Sequence, residues 1–227
     1  MKNLYLRSIF LSSVFLFLFS CDDNGNKDGS KSTWDSNPTL DSFYNLAIGY
    51  VNMSNTDDAY VIAKDLQEKY KDNKEAQARY GLIMFYIHRK QNRLPSALEV
   101  GQEMVQLEPH VPAKVQVDIH FALGRIYKDM LNFNLANNEF LRAIEIGEEI
   151  GDISLLRDKE NELGHLFFEL RAFTEARLHY LKSLRYYQIQ DSLFDIKYRQ
   201  QEVYSNVALT YFEEGENDKA LTYYDSC

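Results

Sequence analysis

The amino-acid sequence predicts an all-α protein. Apolar residues recur every three or four positions, as in FALGRIYKDM (121–130) and EFLRAIEIGEEI (139–150), and no stretch alternates apolar and polar residues as a strand does. Glycine and proline are scarce, at 10 and 4 of 227 residues, whereas 16 tyrosines and 14 phenylalanines supply large rings for helix packing. In addition, one pattern of residues returns at intervals of about 40, which is typical of stacked helix pairs.

The first twenty residues have the composition of an export signal. Lys2 and Arg7 precede an apolar run from Ile9 to Phe19, which is shorter than the roughly 20 residues of a membrane-spanning helix. The sequence therefore predicts a signal peptide over residues 1–20. Two alternatives are an uncleaved anchor helix and an ordinary signal beside which Cys21 is incidental.

The end of this segment, Leu18-Phe19-Ser20-Cys21, resembles the lipobox of bacterial lipoproteins, although Phe19 is larger than the usual residue. The resemblance implies cleavage before Cys21, a diacylglycerol on its sulfur, and a lipid anchor in the bacterial cell envelope. Residues 21–37 hold too few apolar side chains to fold and are expected to form a flexible tether. Asn37 and Pro38 suit the N-cap and first position of a helix, so a folded domain is expected over residues 38–227.

The recurring pattern describes two helices joined by a short turn. It consists of Leu-Gly or Leu-Ala, an aromatic residue three positions later, an alanine nine beyond it, an aromatic residue after four more, and then a small residue. The mid-repeat alanines are spaced by 38, 39, 40 and 44 residues. Clear copies contain Leu123-Gly124, Tyr127, Ala136, Phe140 and Ala143; Leu163-Gly164, Phe167, Ala176, Tyr180 and Ser183; and Val207-Ala208, Tyr211, Ala220, Tyr224 and Cys227. The first copy contains Leu46-Ala47, Tyr50 and Ala59, and a degraded second copy contains Met84-Phe85, Ala97 and Met104.

This pattern resembles the tetratricopeptide repeat, across nearly all of residues 38–227. The resemblance implies a right-handed α-solenoid of about five helix pairs, in which the small residue lets the two helices of a pair approach closely. The repeats are longer than the usual length of about 34 residues, the signature tryptophan is replaced by Phe43, Tyr204 and others, and the second repeat lacks its small residue. The alternative is an irregular helical bundle.

Two expectations concern the end of the sequence. In EEGEND, Gly215 is predicted to end one helix and Asn217 or Asp218 to cap the next. The sequence stops at Cys227, inside the second helix of the fifth repeat, so that repeat is expected to be incomplete. We therefore expect an N-terminal piece of a longer protein or a truncated reading frame.

Composition and motifs argue against catalysis. The net charge is −9, which gives no electrostatic footprint for nucleic acid, so none is expected to bind through this region. The two cysteines and five histidines lack the spacing of a zinc site or a disulfide framework. No glycine-rich phosphate loop and no nucleophile motif occurs either. We predict no enzyme activity, no catalytic residue, no metal and no cofactor.

The resemblance implies that the first helices line a concave groove, which receives a peptide or a partner helix. Arg79, Arg89 and Arg125 would suit a partner with a carboxylate or acidic residues. The alternative is that some of these arginines pair with acids of the chain such as Asp118 or Asp129. The predicted groove residues are Tyr44, Ile48, Arg79, Leu82, Tyr86, Arg89, Phe121, Arg125, Asn161, His165, Phe168, Ser205 and Leu209.

The expected function is a protein-interaction module in a bacterial cell envelope, anchored to the membrane through Cys21. Its long repeats resemble the arrays that precede a membrane helix and a histidine kinase or helix-turn-helix domain in envelope regulators. This favours an extracytoplasmic input domain. The alternative is a self-standing outer-membrane lipoprotein that serves as an assembly scaffold. A nutrient-binding surface lipoprotein would need a much longer chain.

Overall fold

The structure is a computed structural model that describes residues 37–189 and 194–226. Within these ranges the chain forms ten α-helices and no strand, which confirms the all-α prediction. The predicted signal peptide, the tether as far as residue 36, the proposed lipid site Cys21, and Cys227 lie outside the described residues. The helices are α1 (Pro38–Asn52), α2 (Thr56–Lys69), α3 (Lys74–Lys90), α4 (Leu94–Val105), α5 (Ala113–Asp129), α6 (Phe133–Ile150), α7 (Ile153–Glu169), α8 (Phe173–Ile189), α9 (Phe194–Glu213) and α10 (Asn217–Tyr224), with a 3-10 turn at Glu108–His110.

The helices pack as five successive pairs. Each first helix (α1, α3, α5, α7, α9) packs on the second helix of its own repeat and, after the first repeat, on the second helix of the repeat before. First helices also contact each other directly, α1 with α3 and α3 with α5, so they line the narrower inner side of the array. This regular stacking confirms a solenoid rather than an irregular bundle. In the two described ranges, no helix is both long enough and apolar enough to cross a membrane.

The mid-repeat alanines lie where the two helices of each pair meet. Ala59, Ala97, Ala136 and Ala176 have no exposed surface, and Ala220 is 3% exposed. Because alanine is small, helices can approach closely at these five points, and the regular alanine spacing sets the register of the stack.

A second contact in each pair joins a small residue to a ring. A Cβ atom on Gly124 would lie 2.5 Å from Cδ1 of Phe140, and one on Gly164 would lie 2.5 Å from Cδ1 of Tyr180. These glycines therefore allow the rings of the second helices to lie directly on the backbone of the first. The predicted role of the small residue is confirmed in the third and fourth repeats.

The second repeat lacks the small residue on its first helix, as the sequence indicates, and a glycine on its second helix faces the ring instead. Phe85 occupies the position of Gly124 on the first helix, and Gly101 occupies the position of Phe140 on the second. A Cβ atom on Gly101 would lie 3.8 Å from Cδ2 of Phe85, which is itself fully buried. The ring and the glycine have thus exchanged helices, although the tightest contact of Gly101 is with Leu123 of the next repeat, whose Cδ2 would lie 2.7 Å from that Cβ.

The turn inside each repeat has the same backbone geometry. The residue five positions before each alanine has a positive φ, between 57° and 80°. Its N–H and the next N–H donate to carbonyls three and five residues earlier, which is the bonding of a Schellman C-cap. The fifth turn has glycine, as predicted, whereas the other four place a side chain in a conformation that favours glycine. These residues are Ser54, Asn92, Leu131, Arg171 and Gly215.

Helix capping agrees with the sequence at one end of the solenoid and differs at the other. The side chain of Asn37 accepts a hydrogen bond of 2.9 Å from the Thr39 N–H, with Pro38 as the first helical residue, as predicted. The prediction that Asn217 or Asp218 caps α10 is wrong. The Schellman turn at Gly215 is so short that Glu216 is the N-cap residue, without a side-chain bond, and Asn217 is already helical.

Candidate functional site

Five of the predicted groove residues line one cleft on the inner side of the array. The cleft has a volume of about 730 Å³ and is lined by residues of α1, α3, α5 and α7. The predicted residues meet there because those of one helix are three or four positions apart and so share a face. They are Tyr44, Ile48, Tyr86, Arg89 and Arg125, and the cleft is completed by residues that include Lys90, Asp129 and Asp158.

A second, smaller cleft of about 300 Å³ adjoins the first, and it contains the predicted residues Phe121 and Asn161. Arg125 and Asp158 line both clefts, so the two form one continuous surface along α5 and α7. The remaining residues around the smaller cleft are Lys159, Glu162, Tyr187 and Glu202.

Arg125 is the central cation of this surface. Its guanidinium lies over two rings, with its central carbon 6.0 Å from the Tyr86 centroid and 5.7 Å from the Phe121 centroid. Its ion pair with Glu162 is long, at 3.9 Å, and its Nε is buried with no hydrogen-bond partner among the described residues. Burial disfavours the cation, but Glu162 and Tyr86 outweigh this effect and raise the pKa of Arg125. The group is therefore a permanent, incompletely satisfied cation.

Arg79, by contrast, is a structural residue and does not face the cleft. Only 1% of its side chain is exposed, because it lies between the carboxylates of Asp41 and Asp118 and against the ring of Tyr44. The distance from Nη1 to Oδ2 of Asp118 is 3.1 Å. The groove role predicted for Arg79 is therefore corrected, since both carboxylates already take up its charge.

Asp41, Arg79 and Asp118 begin a row of charges that continues to Lys159. The Lys159 ammonium lies 3.8 Å from the Asp118 carboxylate and 3.4 Å from the centroid of Phe121. Burial lowers the pKa of Lys159, although Asp118 acts in the opposite direction. The first helices of repeats one to four are thus joined by buried ionic contacts. Their periodic placement ties each repeat to the next.

Arg89 lies on the wall of the larger cleft but is already paired. Its guanidinium makes a two-pronged contact with Asp129 of the next repeat, in which Nη2 donates to Oδ1 at 3.1 Å. Lys128 makes the equivalent contact with Glu169, at 3.1 Å, one repeat further on. Arg89 is half-buried at 25% exposure, so it contributes to the shape of the wall while most of its charge is neutralised.

Leu82 was expected to line the groove, and this prediction is wrong. It has no exposed surface and belongs to the core cluster that contains Phe85 and Ile119. The rings of Tyr44 and Tyr86 pack against the same cluster and remain partly exposed. The residue shares a helical face with the cleft residues but lies beneath them.

His165 and Asn161 join the fourth repeat to the fifth. The Asn206 amide nitrogen donates to the Asn161 carbonyl at 3.3 Å, and the Asn161 amide nitrogen lies 3.4 Å from Nε2 of His165. Nδ1 of His165 lies 3.1 Å from the Tyr180 hydroxyl, and burial lowers the pKa of this histidine. The structure therefore gives His165 a packing role. The other predicted residues of this end, Phe168, Ser205 and Leu209, are half-buried and line neither cleft.

Sequence reasoning named Asp118 only as an alternative partner of the arginines and missed the row of acidic residues to which it belongs. Asp41, Asp118, Asp158 and Glu202 all lie eighteen positions before the mid-repeat alanine, where the second repeat has Arg79. Aligning the repeats on their alanines would have shown this row. Across the described ranges, no group of three or more histidine, cysteine and acidic side chains is arranged to hold a metal ion.

Comparisons with known proteins agree with this architecture. No protein-family model and no curated protein matches the sequence. Among solved structures, BtubC (BKLC) from P. vanneervenii is similar with a TM-score of 0.69 and 14% identity, over 82% of this chain and 77% of that one. A putative kinesin light chain with TPR-like repeats from Podospora anserina is similar with a TM-score of 0.62 and 14% identity, over 83% of this chain and 92% of that one. PilF of Pseudomonas aeruginosa has a TM-score of 0.61 and 17% identity, over 82% of this chain and 73% of that one. The chain therefore has the tetratricopeptide-repeat fold, in a form with repeats of 38 to 44 residues.

Proposed function

We propose that this protein is an envelope-anchored protein-interaction module that binds an extended segment of a partner in its inner clefts, through a carboxylate that pairs with Arg125. The fold supports an interaction scaffold, since it provides a long inner surface formed by successive first helices. The proposal goes further by naming the site and the chemistry of the bound group.

The proposal rests on the weak ion pairing of Arg125. Of the three arginines expected in the groove, Arg79 is buried between two carboxylates and Arg89 is paired with Asp129. Among the described residues, Arg125 has only the 3.9 Å contact with Glu162 as an ion pair, and it lines both clefts. A guanidinium offers five donors in a planar fork, so a partner carboxylate could bond Nε, which has no hydrogen-bond partner among the described residues.

The surrounding rings favour an extended segment with apolar side chains beside the acid. Tyr44, Ile48 and Tyr86 line the larger cleft on one side of Arg125, and Phe121 lines the smaller one on the other. Asp158 lies in the same wall and disfavours a segment with many acidic residues. The expected ligand therefore carries one or two carboxylates among apolar residues.

Selection from a random peptide library displayed on phage tests this proposal. Peptides that bind the purified chain should be enriched in an acidic residue or a free carboxyl terminus flanked by apolar residues. Their affinity should fall at least tenfold in Arg125→Ala, because a charge-assisted pair of about 1.5–3 kcal/mol is lost. The control is Arg142→Ala, which removes an exposed arginine paired with Glu145 on α6. Equal binding to wild type and Arg125→Ala would refute the site.

Glu162 provides an independent test of the same site. It competes weakly for Arg125 in the unbound protein, so Glu162→Gln should leave the guanidinium freer and tighten binding of the selected peptides severalfold. Weaker binding by Glu162→Gln would show that the peptide carboxylate pairs elsewhere.

The envelope anchor and the signalling role rest on the sequence. A lipid on Cys21 would place the solenoid outside the cytoplasm, where an input domain for a regulator meets its partner. Cys21→Ser should release the protein from the membrane fraction, and retention there would count against lipidation. In the genomic reading frame, an apolar segment of about 20 residues beyond residue 227 would support the input domain. A polar capping helix followed by a stop codon would support the scaffold.

A further inference from the structure

One position on the first helices distinguishes the second repeat from the others. Sixteen residues before the mid-repeat alanine, four repeats have a large side chain that contacts a neighbouring element. Phe43 packs on Tyr70, Tyr204 packs on Tyr223, His120 contacts Glu108 and Glu139, and Glu160 contacts His179 and Lys182. The second repeat has Gly81 at this position. The first helix of the second repeat therefore contributes no side chain at this position.

A pocket of about 480 Å³ lies beside Gly81, between α2, α3 and α4. Part of the missing volume is taken by Met104, whose Cγ would be 2.7 Å from a Cβ atom on Gly81. The pocket shares no lining residue with the two inner clefts. Its size lies within the range of about 300–1,000 Å³ that is usual for small-molecule sites.

The lining of the pocket combines rings, sulfur and aliphatic groups with the polar side chains of Gln67, Lys71, Gln77, His88 and Glu103. Tyr70 and Tyr80 contribute rings, Met84 and Met104 contribute sulfur, and Leu107 contributes an aliphatic side chain. Methionine sulfur and tyrosine rings both make favourable contacts with an aromatic ligand. A flat aromatic molecule can therefore lie against these rings and sulfur atoms.

The charges around the pocket favour an uncharged ligand. Lys71 and Glu103, which both line it, carry opposite charges, so neither sign is preferred. His88 also lines it, and its pKa is lowered by burial and by Arg93, which keeps the imidazole neutral near pH 7. No net charge therefore remains to attract an anion or a cation.

We propose that the pocket beside Gly81 is a binding site for a small, uncharged aromatic molecule of one or two rings. This site is independent of the peptide site at Arg125. A ligand bound there would contact α2, α3 and α4 together, and so would join the first repeat to the second.

Methyl NMR of the full chain, labelled with ¹³C at methionine, tests the site with indole as the probe. The Met84 and Met104 methyl signals should shift with saturation as indole is added. Met53 and Met130 are 79% and 42% exposed and do not line the pocket, so their signals should stay in place. Shifts that are absent, or equal and unsaturated at all four methionines, would overturn the proposal.

Two variants that fill the pocket complete the test. Gly81→Phe gives the second repeat the ring that Phe43 supplies at the equivalent position of the first. Val100→Phe fills the pocket from α4. Each variant should weaken indole binding at least tenfold. Gly49→Phe is the matched control, because a Cβ atom there meets no atom within 4 Å, and it should bind indole like wild type. Undiminished binding by both filled variants would place the site elsewhere.

Trp34, the only tryptophan of the sequence, is a possible occupant from the chain itself. In the absence of indole, Trp34→Phe should leave the Met84 and Met104 signals unshifted. A shift would mean that Trp34 fills the pocket and would overturn the proposal.

Discussion

Phe85 and Gly101 contact each other across the second helix pair, in the reverse of the arrangement of Gly124 and Phe140 in the third. In both pairs one partner is a ring and the other has no side chain, so the ring can come from either helix. The fold therefore requires a summed volume at this contact and does not require a given residue on a given helix. This explains how a degraded sequence motif still forms a regular repeat.

Gly124→Ala should destabilise the protein. The added Cβ would lie 2.5 Å from the Phe140 ring, so the ring must move, at a cost of about 1–3 kcal/mol in the free energy of unfolding. Urea denaturation followed by circular dichroism measures this loss.

The matched control is Gly49→Ala, where the added Cβ meets no atom within 4 Å. This variant should be stabilised by about 0.5–1 kcal/mol, because alanine favours a helix more than glycine does. Equal effects of the two substitutions would show that Gly124 does not make the close contact with Phe140.

Leu131→Gly should stabilise the protein by about 1 kcal/mol. Leu131 has a φ of 61° in the third turn, where an L side chain costs roughly 1–2 kcal/mol, and its side chain is 72% exposed, so little packing is lost. The same denaturation experiment measures the gain. Gly215→Ala, at the equivalent position of the fifth turn, should have the opposite sign, and two changes of the same sign would argue against a shared turn geometry.

Arg79→Ala should be strongly destabilising, by about 3 kcal/mol or more, because it leaves the carboxylates of Asp41 and Asp118 without their shared cation. The melting temperature and the urea midpoint measure the loss. Arg142→Ala removes an exposed pair with Glu145 and should change stability by less than about 0.5 kcal/mol. A mild effect of Arg79→Ala would mean that the row of charges does not join the repeats.

The stability difference between wild type and His120→Gln should depend on pH. Burial opposes charging of His120, but hydrogen bonds to Glu139 and Glu108 outweigh it and raise the pKa. The stabilisation by the imidazolium is therefore complete below the unfolded pKa of about 6.5 and is lost as pH rises through the higher folded value. Urea denaturation at pH 6 and pH 8.5 should show a larger difference at pH 6.

His165→Gln provides the opposite case. Burial lowers the pKa of His165, so the neutral ring of the wild type is favoured in the folded protein. Its stabilisation is present above the unfolded pKa of about 6.5 and is lost as pH falls through the lower folded value. The difference between wild type and His165→Gln should therefore be smaller at pH 5 than at pH 7.5. Parallel pH trends in the two variants would contradict these environments.

The helices, their pairing and the mid-repeat alanines could be predicted from the sequence, because they depend on periodicity along one helix. The exchange of Phe85 and Gly101 could not, since it needs the two helices to be aligned against each other. The same limit applies to the groove. Helical spacing placed Leu82 and Tyr86 on one face, but only the packing shows that Leu82 is buried in the core while Tyr86 lines the cleft.

The charge of the groove was predicted less well than its location. The sequence shows Arg79, Arg89 and Arg125 at groove positions, but each partner carboxylate lies in a neighbouring repeat, about 40 residues away. Which arginine remains incompletely paired depends on distances between repeats, and periodicity does not define these. The structure reduces three candidate cations to one, Arg125.

The role of Arg125 can be measured most directly with a double-mutant cycle. A selected peptide and its counterpart with the carboxylate replaced by an amide would be titrated calorimetrically into wild type and Arg125→Ala. We predict that loss of the carboxylate weakens binding to wild type at least tenfold and leaves binding to Arg125→Ala unchanged. An equal loss for both proteins would contradict the pairing of Arg125 with the partner's carboxylate.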